Sequence, residues 1–320
     1  MIKVRHEAFM YYFRFMEERM KIFWGRYYKN PAPWTSDTIL KSYKFTNVYR
    51  ACDRVSQYLI KEIINQVDKT LSGEDILLNI LLFKVFNRID TWEQIKKSYP
   101  TITVNNFDAE TLSQLLTHLR EYGPIFNPAY IMTGSSRNYH FLRFKHERWL
   151  KMIETEIVKE KKLFAIIKAK TLKDVYDILL SCTFIGPFLA YQYAIDMNYS
   201  DVIDFDENSF VQAGIGAQRG IKKCFFKLNG YSFEDAIRYT YDHFDIYQER
   251  YGTSFDDLFG RTPKLIDLQN CFCETDKYLR EKLPDLHVGN KRIKQRFKRK
   301  SNPIDFFFPP KWKLSIPRPF

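Results

Sequence analysis

Apolar positions three and four residues apart recur along most of this chain, and strict alternation is almost absent, so helices are predicted and strands are not. The first helix is predicted over 4–28, where aromatics mix with Arg5, Glu7, Arg14, Glu17 and Arg19 until Asn30-Pro31-Ala32-Pro33 stops the pattern. A short extended segment is expected around Trp34. Helices are then predicted over 47–68 and 73–87, with Ser72-Gly73 as the break, over 109–121, closed by Gly123-Pro124, and as one long charged helix over 143–169. Between the last two, 125–140 (IFNPAYIMTGSSRNYH) reads as a loop or lid. Further on, TLKDVYDILLSC is a helix opened by Thr171 as N-cap with Asp174 three residues later, FIGPF is a tight turn and LAYQYAIDM is a second helix. An acidic loop at 199–208, a glycine-bearing turn at 213–220 and helices over 232–250 and 267–282 complete the pattern.

Composition supports a folded helical protein. Of 320 residues 45% are hydrophobic and 17% aromatic, which supplies a core and excludes a disordered chain. The 12 Gly and 13 Pro are too few for an all-β protein of many tight turns. No apolar run reaches the roughly 20 residues that cross a bilayer, so no membrane partner is expected. Five scattered cysteines predict a reducing compartment, a cytoplasm or, in a eukaryote, the nucleus. Cys271-Phe272-Cys273 lacks a histidine at matching spacing, so no zinc site, and no cofactor, is expected.

The formal charge of +12 is unevenly spread, because 291–320 hold ten Lys/Arg and one acid while the remaining body is nearly balanced. The run KRIKQRFKRK fits a polyanion clamp or a nuclear address equally well. Phe306-Phe307-Phe308-Pro309-Pro310 after it is expected to dock on the body. Three stretches are thus expected: an N-terminal helical lobe over 1–170, a helix-hairpin-helix lobe with a catalytic loop over 171–285, and the basic, proline- and aromatic-rich tail over 286–320.

The turn Phe184-Ile185-Gly186-Pro187-Phe188 resembles the hairpin of helix-hairpin-helix DNA enzymes, in which a glycine lets backbone N–H groups approach a phosphate; a plain loop between apolar helices reads the same. DNA glycosylases of that superfamily carry an essential aspartate some twenty residues past the hairpin glycine, a position that falls on Asp206, with Asp204 and Asp196 in reserve. Such a carboxylate stabilises the sugar cation as the base departs; Asp206 as a plain helix cap is the competing reading. The superfamily's bifunctional members place a Schiff-base lysine where this chain has Phe188, so lyase chemistry from that position is not expected.

A second resemblance spans most of the chain. Phe45-Thr46-Asn47-Val48-Tyr49-Arg50 with Asp53-Arg54, then Phe86-Asn87-Arg88, then Gly186-Pro187-Phe188 leading to Tyr191-Gln192 and Asp196, then Gly214-Ile215-Gly216-Ala217 with Arg219-Gly220, and finally Leu268-Gln269-Asn270 with Cys273-Glu274 and Asp276-Lys277-Tyr278 occur in this order. Together they resemble the alpha-glutamyl/putrescinyl thymine pyrophosphorylase family, which is related to the helical domain of 5-hydroxymethyl-deoxyuridine DNA kinases. The resemblance implies an all-α, two-lobed helix-hairpin-helix DNA-glycosylase-like fold. It also implies duplex DNA carrying modified bases as partner and hypermodified phage thymine or anti-phage defence in a bacterial or phage-infected cytoplasm as setting. No obligate protein partner is expected, hence a monomer. The chain itself has no GxxxxGK[ST] phosphate loop.

Within these strings Asn47, Arg50, Asp53, Arg54, Asn87, Gly186, Phe188, Tyr191, Gln192, Gly214, Gly216, Arg219, Gln269, Asn270, Glu274 and Lys277 are the candidate DNA- and base-binding residues. Arg50 and Arg54 are expected on one helix face beside Asp53 as an ordinary ion-pair set; in the functional reading Asn47 and Arg50 stand at a helix start, where they read a base edge or hold a phosphate. Of the aromatics, Tyr49, Tyr139, Tyr191 and Phe188 either fill the core or line a pocket for an extruded base. The leading expectation is excision of a modified pyrimidine through Asp206. The alternatives are transfer of an amine or amino acid to an activated thymine 5-methyl group, and a DNA-binding protein without chemistry.

Overall fold

The computed structural model describes residues 2–65, 70–128, 132–289, 295–298 and 304–316. Among them lie α1 (His6–Tyr27), α2 (Thr38–Ser42), α3 (Arg54–Tyr58), α4 (Gly73–Phe86), α5 (Ile89–Ser98), α6 (Ala109–Glu121), α7 (Lys145–Met152), α8 (Lys162–Lys168), α9 (Leu172–Leu180), α10 (Pro187–Met197), α11 (Ile215–Cys224), α12 (Phe233–Asp242), α13 (Phe244–Tyr251) and α14 (Leu265–Lys282). Two short strands, β1 (Lys3–Val4) and β2 (Phe225–Lys227), pair antiparallel. The fold is all-α, as the periodicity predicts.

Where capping side chains are present the helices begin as expected. Ser72 and Asp75 form a reciprocal capping box at the start of α4, and Thr171 and Asp174 form another at α9. The helices depart from the pattern in several places: α2 lies where no helix is predicted, and the run 232–250 is split at His243 into α12 and α13. Residues 47–68 are not one helix: Arg50–Cys52 make a single 3₁₀ turn, Asp53 is extended (φ −74°, ψ 144°), and α3 starts at Arg54 and runs into the π-helical segment Leu59–Asn65, while 66–68 lie outside the described residues. The Asp53 carboxylate accepts the Asn47 N–H at 2.9 Å, a local bond that competes with helix formation, so Arg50 and Arg54 share no helix face. The 143–169 run divides into α7, a π-helical segment Ile153–Val158 and α8, with Lys161 left-handed (φ 55°) at the break. Helix α5 falls between two predicted helices in a stretch for which no element is predicted.

The glycine-bearing turn expected at 213–220 is helical. Gly214 is the N-cap of α11, and Gly216 and Gly220 lie inside it. A Cβ on Gly216 would come within 2.3 Å of the Cys273 sulfur, and one on Gly220 within 2.0 Å of the Phe272 carbonyl oxygen. These glycines make contact surface for α14 and are not hinges.

The chain divides into two compact units, neither continuous in sequence. One comprises Met1–Asp53, Phe210–Phe306 and Trp312–Phe320. Its centre is α1 against α14: Tyr12 stacks on Phe272 at 4.3 Å and donates to the Leu268 carbonyl at 3.2 Å, and Phe9 adds a parallel ring. Each such ring pair contributes ~0.5–1.5 kcal/mol beyond the area it buries. Lys223 on α11 and Asp276 on α14 form a fully buried ion pair at 3.1 Å, and Arg280 takes the second Asp276 oxygen. A described piece of the basic run docks here too, with Lys44 N–H donating to Gln295 and Phe297 N–H to Ser42. Residues 291–294 and 299–300 of that run lie outside the described residues.

The other unit comprises Arg54–Ser209 and Phe307–Lys311. Helix α4, apolar on nearly every side, forms its core and packs against α8, α10 and the π-helical segment Leu59–Asn65. Phe308 is buried, the Phe307 N–H donates to Gln57 at 2.7 Å, and Lys311 donates to the carbonyls of Ser200 and Ile203 at 2.9 Å each. The Phe-Phe-Phe-Pro-Pro segment is therefore docked. Ending the chain at residue 303 is expected to lower the melting temperature by about 5 °C or more, the equivalent of one lost buried aromatic, measured by circular dichroism.

Candidate functional site

Helices α9 and α10 enclose the hairpin 181–186, and its geometry differs in one respect from a glycine turn. The left-handed residue is Phe184 (φ 71°), whose ring lies against Trp149 and Tyr139 at centroid distances of 5.4 and 5.6 Å. Gly186 is the N-cap of α10 with ordinary extended geometry (φ −83°, ψ 175°), and a Cβ built there meets nothing within 4 Å. Neither conformation nor packing calls for a glycine at this position. Pro187 occupies the first helical position, no side chain caps α10, and Phe188 stands 46% exposed on its first turn. An open glycine face at the start of an eleven-residue helix offers N–H donors and a positive dipole end to an anion.

The hairpin is held from below by Glu156, in the π-helical segment Ile153–Val158. One carboxylate oxygen accepts the Thr183 N–H at 2.7 Å and the other accepts the Tyr139 hydroxyl at 2.7 Å. Burial alone pushes the Glu156 carboxyl up, but the bonds from Thr183 and Tyr139 and the nearby Lys162 charge outweigh it and hold it below the usual carboxylate range. The sequence reading did not single out Glu156; its only signal was an acid inside a long helix pattern.

The other expected residues of this unit are dispersed. Tyr191 and Gln192 are buried in α10 and present no surface for a base. Asp196 is fully buried and pairs with Lys84 at 3.3 Å, which also donates to the Asn87 side chain at 2.9 Å. Asn87 itself is the left-handed C-cap of α4. Lys84 carried a readable signal, a lone cation inside the apolar run of 76–86. Arg54 opens α3. Asp204 is 80% exposed and pairs with Lys311 at 3.3 Å. Asp206 is exposed in a turn where its carboxylate accepts the Asn208 N–H at 2.9 Å; no helix follows, so it caps none.

In the first unit the structure brings five of the expected residues together. Asn47 donates through its side chain to Cys52 O and Asp53 Oδ1 and accepts from Arg19 Nη2, all at 2.9–3.0 Å. Asn270 donates to the Asn47 carbonyl at 2.9 Å, Glu274 accepts the Thr46 N–H at 3.2 Å, and Lys277 pairs with Glu274 at 2.6 Å. This network fastens segment 44–53 onto α1 and α14, and the Asn47 amide is fully occupied in doing so. Arg19, a buried cation on α1, is the member that helical spacing hid. Gln269 is buried, Tyr49 is buried against the 258–261 turn, and the Arg50 N–H donates to Asp267 at 3.2 Å. Arg219 is half-buried on the second turn of α11, whose N-cap is Gly214.

Burial pushes the Asp53 carboxyl up to about 6, although the bond from Asn47 and the Arg19 charge act against it. A folded value above the ~3.9 of an unfolded aspartate means that the folded state binds more protons between pH 4 and 6. Its contribution is therefore fully present below about pH 4 and is lost as the pH rises through 6. Asp53→Asn is expected to flatten that slope by on the order of 2 kcal/mol, read from urea midpoints at pH 4.5 and 7.

Among the described residues no group of three or more His, Cys, Asp or Glu gathers to hold a metal ion, and no helix is long and apolar enough to cross a membrane.

Fold and hairpin thus define an all-α protein with an anion-ready helix start. The family model for the helical domain of 5-hmdU DNA kinase matches residues 6–288, and the chain belongs to that family, in line with the relation that the ordered strings imply. A curated relative, the 5-hmdU DNA kinase of Bacillus phage SP10, is 27% identical over 282 residues, covering 83% of this chain and 44% of the relative. The chain thus spans less than half the length of the curated relative it matches. No solved structure matches the chain.

Proposed function

We propose that this protein acts on modified pyrimidines in double-stranded DNA, gripping a phosphate at the 181–187 hairpin and releasing the base by hydrolysis. The observation that carries the reading is Gly186, a glycine without an internal reason, open to the outside at an uncapped helix start. The family supports a 5-hydroxymethyl pyrimidine as the substrate class. Asp206 is the carboxylate assigned to the reaction, being exposed in a described turn, whereas Asp196 is locked to Lys84 and Asp204 is paired with Lys311. In the step, the C1′–N1 bond breaks, water supplies a hydroxyl to C1′, and the departing pyrimidine takes up a proton. The carboxylate stabilises the positive charge on the sugar.

A duplex bearing one 5-hydroxymethyl-deoxyuridine is expected to acquire an abasic site on incubation with the protein, scored by alkaline cleavage and nucleoside mass spectrometry. Asp206→Asn is expected to abolish that product while leaving duplex affinity within about twofold, because an exposed carboxylate contributes little to binding. Gly186→Val is expected to weaken binding about tenfold, the worth of a charge-assisted hydrogen bond. Excision retained by Asp206→Asn would remove the assignment. A second reading follows from the relative's name: the protein holds the modified base for a group-transfer reaction at the pyrimidine side group. It predicts a mass gain on an intact nucleoside, or no product with binding preserved.

A further inference from the structure

The loop 133–144 takes no part in the chemistry proposed above, yet it is built with care. Arg148 donates through Nη1 to the Gly134 carbonyl at 2.6 Å and through Nε to the Leu142 carbonyl at 2.9 Å, so one guanidinium closes the base of the loop. The Trp149 indole donates to Thr133 at 2.7 Å, and His140 Nδ1 lies 2.5 Å from the Arg137 carbonyl. Clamped in this way at its base, 135–141 forms a finger most of whose residues are exposed.

Its surface chemistry is one-sided. Phe141 is 67% exposed, with Arg137, His140 and Arg143 exposed around it, and no acidic residue occurs between Glu121 and Glu147. The only aromatic that the finger turns inward is Tyr139, and its hydroxyl ends on Glu156, whose other oxygen holds the hairpin at Thr183. One carboxylate therefore fixes the finger to the hairpin.

We propose that 135–143 is a probing finger that inserts Phe141 into the base stack of the duplex held at the hairpin, with Arg137 and Arg143 on the flanking phosphates. This rests on the DNA-binding part of the reading above and not on its chemistry. An apolar ring pushed between base steps unstacks them, and extrusion of a base needs something to fill the gap. A protein partner for the same ring is the competing occupant; the cationic surround and the shared anchor with the hairpin favour DNA.

The test uses the full chain and a duplex with 2-aminopurine next to one 5-hydroxymethyl-deoxyuridine, whose fluorescence rises when the stack opens. The wild type is expected to raise the signal, and Phe141→Ala to reduce that rise at least about fivefold, the effect of losing one stacked ring. Phe141→Trp is expected to keep it. Because the side chain is exposed, the melting temperature of Phe141→Ala should match that of the wild type. Arg137→Ala with Arg143→Ala should lower the slope of log Kd against log salt by about 2, one for each phosphate contact. A wild type that binds the duplex without unstacking it, or a Phe141→Ala protein that unstacks as the wild type does, overturns the proposal and leaves the ring to a protein partner. Unstacking without base release counts against the excision chemistry alone, and failure to bind duplex DNA overturns both.

Discussion

Replacing Lys84 with methionine should destabilise the second unit by about 3–5 kcal/mol, because it removes the ammonium group that pairs with a fully buried carboxylate. Asp196 is 0% exposed and Lys84 is 3% exposed, so no water replaces the lost ammonium group at 3.3 Å. For a unit of this size that amounts to a melting-temperature drop of roughly 10 °C. The double variant Lys84→Met/Asp196→Leu should recover most of the loss, since a buried pair contributes little over a well-packed apolar pair of similar volume. Thermal melts of the two variants decide it: if the double variant melts as low as the single one, Asp196 is not the source of the cost.

Gly220→Ala should be nearly as damaging to the first unit. An added Cβ would lie 2.0 Å from the Phe272 oxygen and 2.7 Å from its carbonyl carbon, and both are backbone atoms of α14. No rotamer relieves that clash; α11 must move away from α14. Relief by separation gives up the buried contacts around Phe272, and the Lys223–Asp276 pair at 3.1 Å opens with them. Overpacking ordinarily costs ~1–3 kcal/mol and more where backbone must shift, so at least ~3 kcal/mol is expected. Urea unfolding monitored by tryptophan fluorescence measures it, and a loss below 1 kcal/mol would mean that the two helices are not in register as described.

These two sites show what the sequence made legible. Helices with strong caps and clean periodicity, α4 behind Ser72, α6, and α9 behind Thr171, could be read to within a residue or two. Lys84, a lone cation in an apolar helix, carried a signal that was not used, whereas its partner Asp196 on α10 was singled out as a reserve carboxylate and not as half of a buried pair. The glycines at 216 and 220 were misleading for a physical reason. Glycine breaks a helix by conformational freedom but also permits close helix contact, and only the neighbour, α14, decides between the two. Helix breaks at Asp53 and Lys161 were hidden because one side-chain bond or one left-handed residue leaves the apolar spacing on either side intact. The strings around Asn47 and Asn270 were legible as belonging together, and they do meet, but each is engaged in holding the other in place. Spacing alone could not separate that from a surface awaiting a ligand. The exposed position of Asp206 was equally beyond the sequence, since a helix start and an isolated turn share the same aspartate.

The hairpin glycine has a consequence for how this protein would respond to selection. At Gly186 folding asks for nothing: the backbone is ordinary and the space beside it is empty. Serine there would supply the side-chain cap that α10 lacks and should raise cellular abundance slightly. In a library scored separately for abundance and for DNA-dependent activity, position 186 should therefore tolerate most residues on the first scale and few on the second. Positions that split in this way would outline the contact surface of the partner without a structure of the complex.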